Sequence, residues 1–197
     1  MYIIGITGGS GTGKTIALGV LEKMGVVTFD CDKIYHDLLC DNEVMKSEIE
    51  AVFNGVLTDG IIDRKKLGGI VFNDKAALRK LNKITHRYVV SEVTGQLDIL
   101  ASQGNKAAAI DAVALMESGA NKICNITIGF IAPRDKRISR IIERDRISFK
   151  AAELRIKAQQ PDEFYTRNCD MIIDNSFDTI EEFEEYCIGL FEDMLNV

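Results

Sequence analysis

Apolar positions along the chain fall into five short runs separated by longer stretches of helical spacing. Tyr2-Ile3-Ile4-Gly5-Ile6, Val26-Val27-Thr28-Phe29, Ala107-Ala108-Ala109-Ile110, Ile123 to Ile131 and Met171-Ile172-Ile173 have strand length and composition. Between the first two, Ile16, Val20, Leu21 and Met24 recur at helical spacing until Gly25 stops the pattern. Farther on, Val44, Ile49, Val52 and Phe53 make one short apolar face, and Gly55 to Gly60 is a turn-rich break. Asp63 is placed to cap a helix through Leu67, Ile70, Val71 and Phe72. Leu78, Leu81 and Ile84 then lead into a longer helix carrying Val89, Val90, Val93, Leu97 and Leu100. Pro133 suits the first turn of another helix. Ser148 caps its return, which carries Leu154, Ile156, Gln159 and Gln160 and stops before Pro161. Asp178-Thr179-Ile180-Glu181 resembles a capping box. It opens a last helix that packs Ile180, Phe183, Cys187, Leu190, Phe191 and Met194 on the sheet.

Strand alternating with helix predicts an α/β fold, a parallel sheet with helices on both faces. Roughly sixty residues separate the second and third strands, too many for one crossover helix. They read as a helical insertion covering a sheet edge, a natural place for a substrate.

Composition narrows the classes. The chain has 197 residues, which suits one domain with an insertion. Its net charge of −6 argues against general nucleic-acid or membrane binding, and no apolar run reaches spanning length. A strand running into a glycine loop is not a signal peptide. The five cysteines show no C-x-x-C spacing, so free thiols in a reducing cytoplasm are expected. No obligate protein partner is evident.

The chemistry-bearing stretch follows the first strand. Gly8-Gly9-Ser10-Gly11-Thr12-Gly13-Lys14-Thr15 fits G-x-x-x-x-G-K-[ST], a phosphate-binding loop, with strand before it and helix after it. Its glycines let backbone N–H groups point inward, and the new helix offers its positive end to the same point. Lys14 would reach the β- and γ-phosphates of ATP, and the Thr15 hydroxyl would ligate Mg²⁺.

Carboxylates end two further strands. Asp30 and Asp32 follow the second, where an open parallel sheet places ligand groups. Asp32 is alternatively a cap for the helix beginning at Lys33 and Ile34. Asp111 ends the third strand, as a partner for Mg²⁺ or as a cap for a turn at Ala114 to Glu117. His86, in the insertion, is a packing or a functional histidine. Residues 134–157 hold nine of the 24 basic residues. Arg137, Arg140 and Arg144 lie three and four apart, on one helical face. By contrast, Asp178 to Asp193 has seven acidic residues and no basic one. Guanidinium groups concentrated in an acidic triphosphate-binding chain suggest a lid over the transferring phosphoryl group.

Motifs sort the phosphate-loop classes. Asn82-Lys83-Ile84-Thr85 and Asn121-Lys122-Ile123-Cys124 both lack the Asp of the guanine-specific N-K-x-D element. A short chain with an insertion and an arginine-rich late segment suits phosphoryl transfer to a small hydroxyl acceptor; a nucleoside, nucleotide or sugar acceptor is the alternative.

Several strings, in order over essentially the whole chain, resemble the dephospho-coenzyme A kinase family. They are Asp30-Cys31-Asp32-Lys33-Ile34, Asp63-Arg64-Lys65-Lys66-Leu67, Leu81-Asn82-Lys83-Ile84-Thr85-His86, Asp111 to Glu117, Arg140 with Arg144-Asp145, Arg155-Ile156-Lys157-Ala158-Gln159, and Cys169-Asp170 with Asn175. The resemblance implies a three-layer P-loop kinase fold with a five-stranded parallel sheet. It implies a nucleotide core over residues 1–32, 105–135 and 168–197, a helical substrate-binding insertion over about 33–104, and a helical lid over about 136–165. ATP and Mg²⁺ would lie on Gly8 to Thr15, with Asp111 near the metal. Asp30 or Asp32 would orient and deprotonate the acceptor hydroxyl. Arg140 and Arg144 match lid arginines, while Asp32, Arg64, His86, Asp111 and Gln159 match positions around dephospho-coenzyme A. The chain departs from the family pattern at Val113 and Arg87, where proline is usual.

Overall fold

The computed structural model describes residues 1–72 and 74–196. Five parallel strands form the central sheet: β1 (Tyr2–Gly8), β2 (Val27–Asp30), β5 (Ala107–Asp111), β6 (Ile126–Ile131) and β7 (Met171–Asp174), in the order β2-β5-β1-β6-β7. The five apolar runs are these strands, and the α/β architecture follows the expectation. The strand order reverses about β1. The crevice at its carboxyl end is where a doubly wound sheet binds ligand.

The strands sort their side chains by the period of two. Ile4, Ile6, Ala109, Ile128 and Phe130 face α1 (Lys14–Lys23) and α9 (Ile180–Leu195), in one cluster with Val20, Leu21, Phe183, Cys187 and Phe191. Ala108, Ile110 and Phe29 face the opposite way, onto Val89, Val93 and Leu97 of α5 (Lys75–Ser102). Helix, sheet, helix are the three layers.

The insertion contains α2 (Cys31–Asp41), α3 (Glu43–Val52), a two-stranded hairpin of β3 (Leu57–Thr58) and β4 (Ile61–Ile62), α4 (Arg64–Val71) and the first half of α5. Its own cluster holds Leu39, Met45, Ile49, Phe53, Leu67, Leu81 and Ile84. Lys46 is buried in it, and its ammonium donates to the carbonyls of Cys40 (2.9 Å) and Gly60 (2.8 Å) and to Glu43 (2.6 Å). The last part of the chain before β7 folds as α6 (Arg134–Asp145), α7 (Phe149–Lys157) and α8 (Asp162–Asn168), the first two joined through Ile138, Ile141 and Ala152.

Several local expectations shift. Asp30, not Asp32, caps α2, accepting from Lys33 N–H at 2.9 Å; the helix starts earlier because strand and helix abut without a loop. Val44 and Val52 are exposed, and Met45 carries the inner face of α3 beside Ile49. The hairpin occupies the expected turn-rich break. Leu78 to Leu100 lies within one uninterrupted 28-residue helix. Residues 120–123 form a 3-10 turn ahead of β6. Pro133 is the N-cap of α6 rather than its first turn. α7 ends at Lys157, leaving Gln159 and Gln160 beyond it. Asp63 and Ser148 cap α4 and α7 as expected. The capping box pairs Thr179 with Glu182, one residue along, and Ile180 is exposed.

Candidate active site

Gly8 ends β1, Lys14 opens α1, and the residues between them curl back on themselves. Thr12 Oγ1 donates to the Gly9 carbonyl at 2.8 Å, closing the curl. Gly13, at φ 98°, takes a left-handed conformation that costs an L-residue about 1–2 kcal/mol. A Cβ there would also come 2.7 Å from the Phe183 ring. No side chain caps α1 and no acidic residue occupies its first turn, so its N–H groups and positive end stay uncompensated. An anion is the complement of that geometry.

The loop lines a cavity of about 670 Å³, shared with Asp111, Arg140, Arg144, Gln159, Phe177 and Ile180. Lys14 Nζ lies 3.3 Å from Asp111 Oδ1 as an ion pair, and among the described residues this buried oxygen meets no better-aligned donor. Burial pushes the Asp111 pKa up, and the nearby Asp30 and Asp32 add to the rise, while Lys14 opposes it. Residues 113–119 are turns. Asp111 therefore caps no helix.

Two carboxylates stand beside it. Asp30 is the register partner of Asp111 across β2 and β5, so the sheet holds both at one level. Its side chain is occupied in capping α2. Asp32, in the first turn of α2, is exposed.

The arginines of α6 have three different environments. Among the described residues Arg140 donates to neutral oxygens alone: Gly11 O (3.2 Å), Asn175 O (3.4 Å), Asn175 Oδ1 (3.2 Å) and Phe177 O (3.3 Å). Its charge is thus left uncompensated at the cavity wall, and burial lowers its pKa. Arg144 is bound to Asp145 through Nε (2.7 Å) and Nη2 (3.0 Å), and Arg155 joins the same carboxylate. Those contacts hold Asp145 down at about 2, with Arg144 the larger influence. Arg137 does not share a solvent face with the other two: it is 4% exposed, against the phosphate loop. Gln159 also reaches the loop, its Oε1 accepting from Ser10 N–H at 2.9 Å.

Asp30, Asp32, Arg64 and His86 lie outside the lining of this cavity. Arg64 opens α4 with a guanidinium nitrogen 3.3 Å from His36 Nε2. Tyr35, whose pKa burial raises and Arg64 lowers, sets its ring 5.3 Å from that histidine's at a tilt of 41°. His86 is half-buried against Glu117, and burial lowers its pKa. His36 escaped the sequence reading, although it lies one helical turn after Asp32 and so on the same face of α2. Lys136 did too. Its ammonium staples the loop after β7 by donating to Ser176 O (2.6 Å), Phe177 O (2.9 Å) and Asp178 (2.6 Å).

Among the described residues no group of three or more His, Cys, Asp or Glu side chains could hold a metal by itself. The cavity offers Thr15, an exposed residue, and the Asp111 carboxylate, whose contact is the Lys14 ion pair. So sparse a set fits Mg²⁺, a hard cation that takes its remaining oxygens from phosphates and water.

Comparison with known proteins bears on the family and the fold. The model of the dephospho-CoA kinase family matches residues 2–181. A dephospho-CoA kinase of Fusobacterium nucleatum is 34% identical over 192 residues, 95% of this chain and 97% of that protein. One from Dehalococcoides mccartyi is 36% identical over 178 residues, 89% of each. Among solved structures, the dephospho-CoA kinase of Campylobacter jejuni superposes with a TM-score of 0.71 at 27% identity, covering 98% of this chain and 97% of the other. A Thermus thermophilus structure, TT1252, gives 0.77 at 25%, covering 97% of each. A shikimate kinase from Acinetobacter baumannii, 14% identical with a TM-score of 0.51 and covering 98% of this chain and 94% of the other, shares the fold.

Proposed function

The chain belongs to the dephospho-CoA kinase family, and we propose that it moves the γ-phosphoryl group of ATP to the ribose 3′-hydroxyl of dephospho-coenzyme A with the residues assembled around its phosphate loop. The bond from the γ-phosphorus to the bridging oxygen breaks, one to the 3′-oxygen forms, and the hydroxyl proton passes to a carboxylate. A loose transition state asks the protein mainly for alignment and charge stabilisation.

Gly8 to Thr15 bind the phosphates through inward N–H groups, and Lys14 and Arg140 neutralise oxygens of the transferring group. Arg144 joins them from the lid hairpin. Mg²⁺ fits Thr15 and Asp111 and, when bound, draws charge from the β- and γ-phosphate oxygens. Asp32 is the base: both carboxylates are exposed, but Asp30 holds the α2 cap through Lys33 N–H, while Asp32 has no such commitment. Arg64 and His86, on the insertion, and Gln159 belong to the acceptor side or its border. Residues 1–32, 105–135 and 168–197 thus carry the nucleotide, about 33–104 the acceptor, and about 136–165 the lid. The five free cysteines fit a reducing cytoplasm.

One observation carries the reading: Lys14, Asp111 and Arg140 converge with the phosphate loop on a single cavity. The test is an acceptor panel with labelled ATP. Dephospho-coenzyme A should be phosphorylated at the 3′-position and nucleosides and sugars left untouched. Label on another acceptor, or ATP hydrolysis with no labelled acceptor, would refute the assignment.

A further inference from the structure

Arg137 spends a buried cation on the outside of the phosphate loop. Its Nε donates to Ser10 O at 3.0 Å, Nη2 to Gln159 Oε1 at 2.9 Å, and Nη1 to Asp162 Oδ1 at 3.3 Å. The same Gln159 oxygen accepts from Ser10 N–H at 2.9 Å, and Gln159 Nε2 donates to Ser10 Oγ at 2.8 Å. Ser10 is therefore held at its amide, its carbonyl and its hydroxyl. Its N–H is already committed to Gln159, so at this position the loop is held by protein contacts.

Gly9 records the same contact. Its backbone is outside the left-handed region, yet a Cβ there would sit 2.9 Å from Gln159 Oε1 and against the Arg137 guanidinium. The clasp, not the local dihedral, leaves no room for a side chain. The guanidinium makes these bonds from three separate nitrogens of one rigid plane, a spread that the single nitrogen of a lysine does not reproduce at this position.

We propose that Arg137 is a positioning residue which, through Gln159, clasps the outer limb of the phosphate loop to the α6–α7 hairpin and sets ATP affinity without touching ATP. This rests on the nucleotide-site reading above. Phosphate binding needs the loop amides aimed before ligand arrives, and the clasp supplies that order from residues 127 and 149 positions away in sequence.

The experiment titrates ATP and Mg²⁺ into wild type, Arg137→Met, Gln159→Met and the double variant by calorimetry. Melting curves define a temperature at which each is folded, and steady-state kinetics run in parallel. Losing buried partners should weaken ATP binding by about ten- to a hundredfold in Arg137→Met, with KM for dephospho-coenzyme A unchanged. The double variant should be about as weak as the weaker single variant, since the two side chains act as one unit, and Arg137→Lys should not restore affinity. Wild-type affinity in folded Arg137→Met, or strictly additive losses, would overturn the clasp alone. Should Arg137→Met fail to fold, Gln159→Met decides on the same affinity criterion, its side chain being only half-buried. A wild type that binds no ATP would sink the nucleotide site and the clasp together.

Discussion

Replacing Asn175 by alanine tests how the loop after β7 supports the site. Asn175 is 1% exposed. Its Nδ2 donates to the Thr12 carbonyl at 3.1 Å, and its Oδ1 accepts from Arg140 at 3.2 Å. Truncation leaves the Thr12 carbonyl in a buried setting without that donor, a loss of about 1–3 kcal/mol. Arg140 keeps three other acceptors, the carbonyls of Gly11, Asn175 and Phe177, so its share is small. A total near 2 kcal/mol in a chain of this size lowers the melting temperature by about 4–8 °C. The same change frees the Thr12–Gly13 end of the loop and one corner of Arg140, so KM for ATP should rise as well. Asn175→Asp separates the two contacts. It keeps an acceptor for Arg140 but turns an oxygen toward the Thr12 carbonyl, and should lose stability while Arg140 stays in place. Melting by circular dichroism and steady-state kinetics read both effects. An alanine variant that melts within a degree of wild type, with unchanged KM for ATP, would refute this role for the side chain.

Three further outcomes are expected. Lys14→Met should lower turnover by about 10²–10³-fold while the protein stays folded, as when one transition-state donor is removed; near-normal turnover would discredit the phosphate site. Asp32→Asn should abolish transfer with an unchanged melting curve, whereas Asp30→Ala should cost about 0.5–2 kcal/mol through the lost α2 cap. If Asp32→Asn turns over normally, the base is elsewhere. Asp145 is held at about 2 by Arg144 and Arg155, so its contribution to stability is complete above the unfolded carboxylate pKa and fades as pH falls from about 4 toward 2. The difference in melting temperature between wild type and Asp145→Asn should be flat from pH 5 to 8 and close below pH 4. A gap that persists in acid would rule out the ion pair as its source.

The sheet was legible because each strand is a β-branched or alanine-rich run bounded by polar residues, and the phosphate loop because its spacing is a chemical requirement. Asp30 and Asp111 could be placed at strand ends, but not side by side, since register follows strand order and not local sequence. The hairpin at Leu57 to Ile62 has strands of two residues, too short for any period to show. In α3, Val44 and Met45 are equally apolar, and only the packing of the insertion decides which turns inward. Arg137 defeated the reading for a related reason. Arg137, Arg140 and Arg144 share a periodicity, and the difference among them lies in Ser10, Asn175 and Asp145, two of which are distant in sequence. Gln159 was placed near the acceptor by resemblance; its contacts with Ser10 come from a tertiary approach across 149 positions.

The long helix α5 has a consequence for recombination between relatives. About 42 Å of continuous helix buries Ala77, Leu81 and Ile84 among the insertion's apolar side chains and Val89, Val93 and Leu97 under the sheet. A crossover ahead of Ile84 would divide the insertion's cluster between two parents, whereas one between Tyr88 and Val89 would leave that cluster whole. Junctions at the capping residues Asn42 and Asp74 would instead keep the rod with its native neighbours on the sheet side but set a foreign segment against Leu39, Ala77, Leu81 and Ile84.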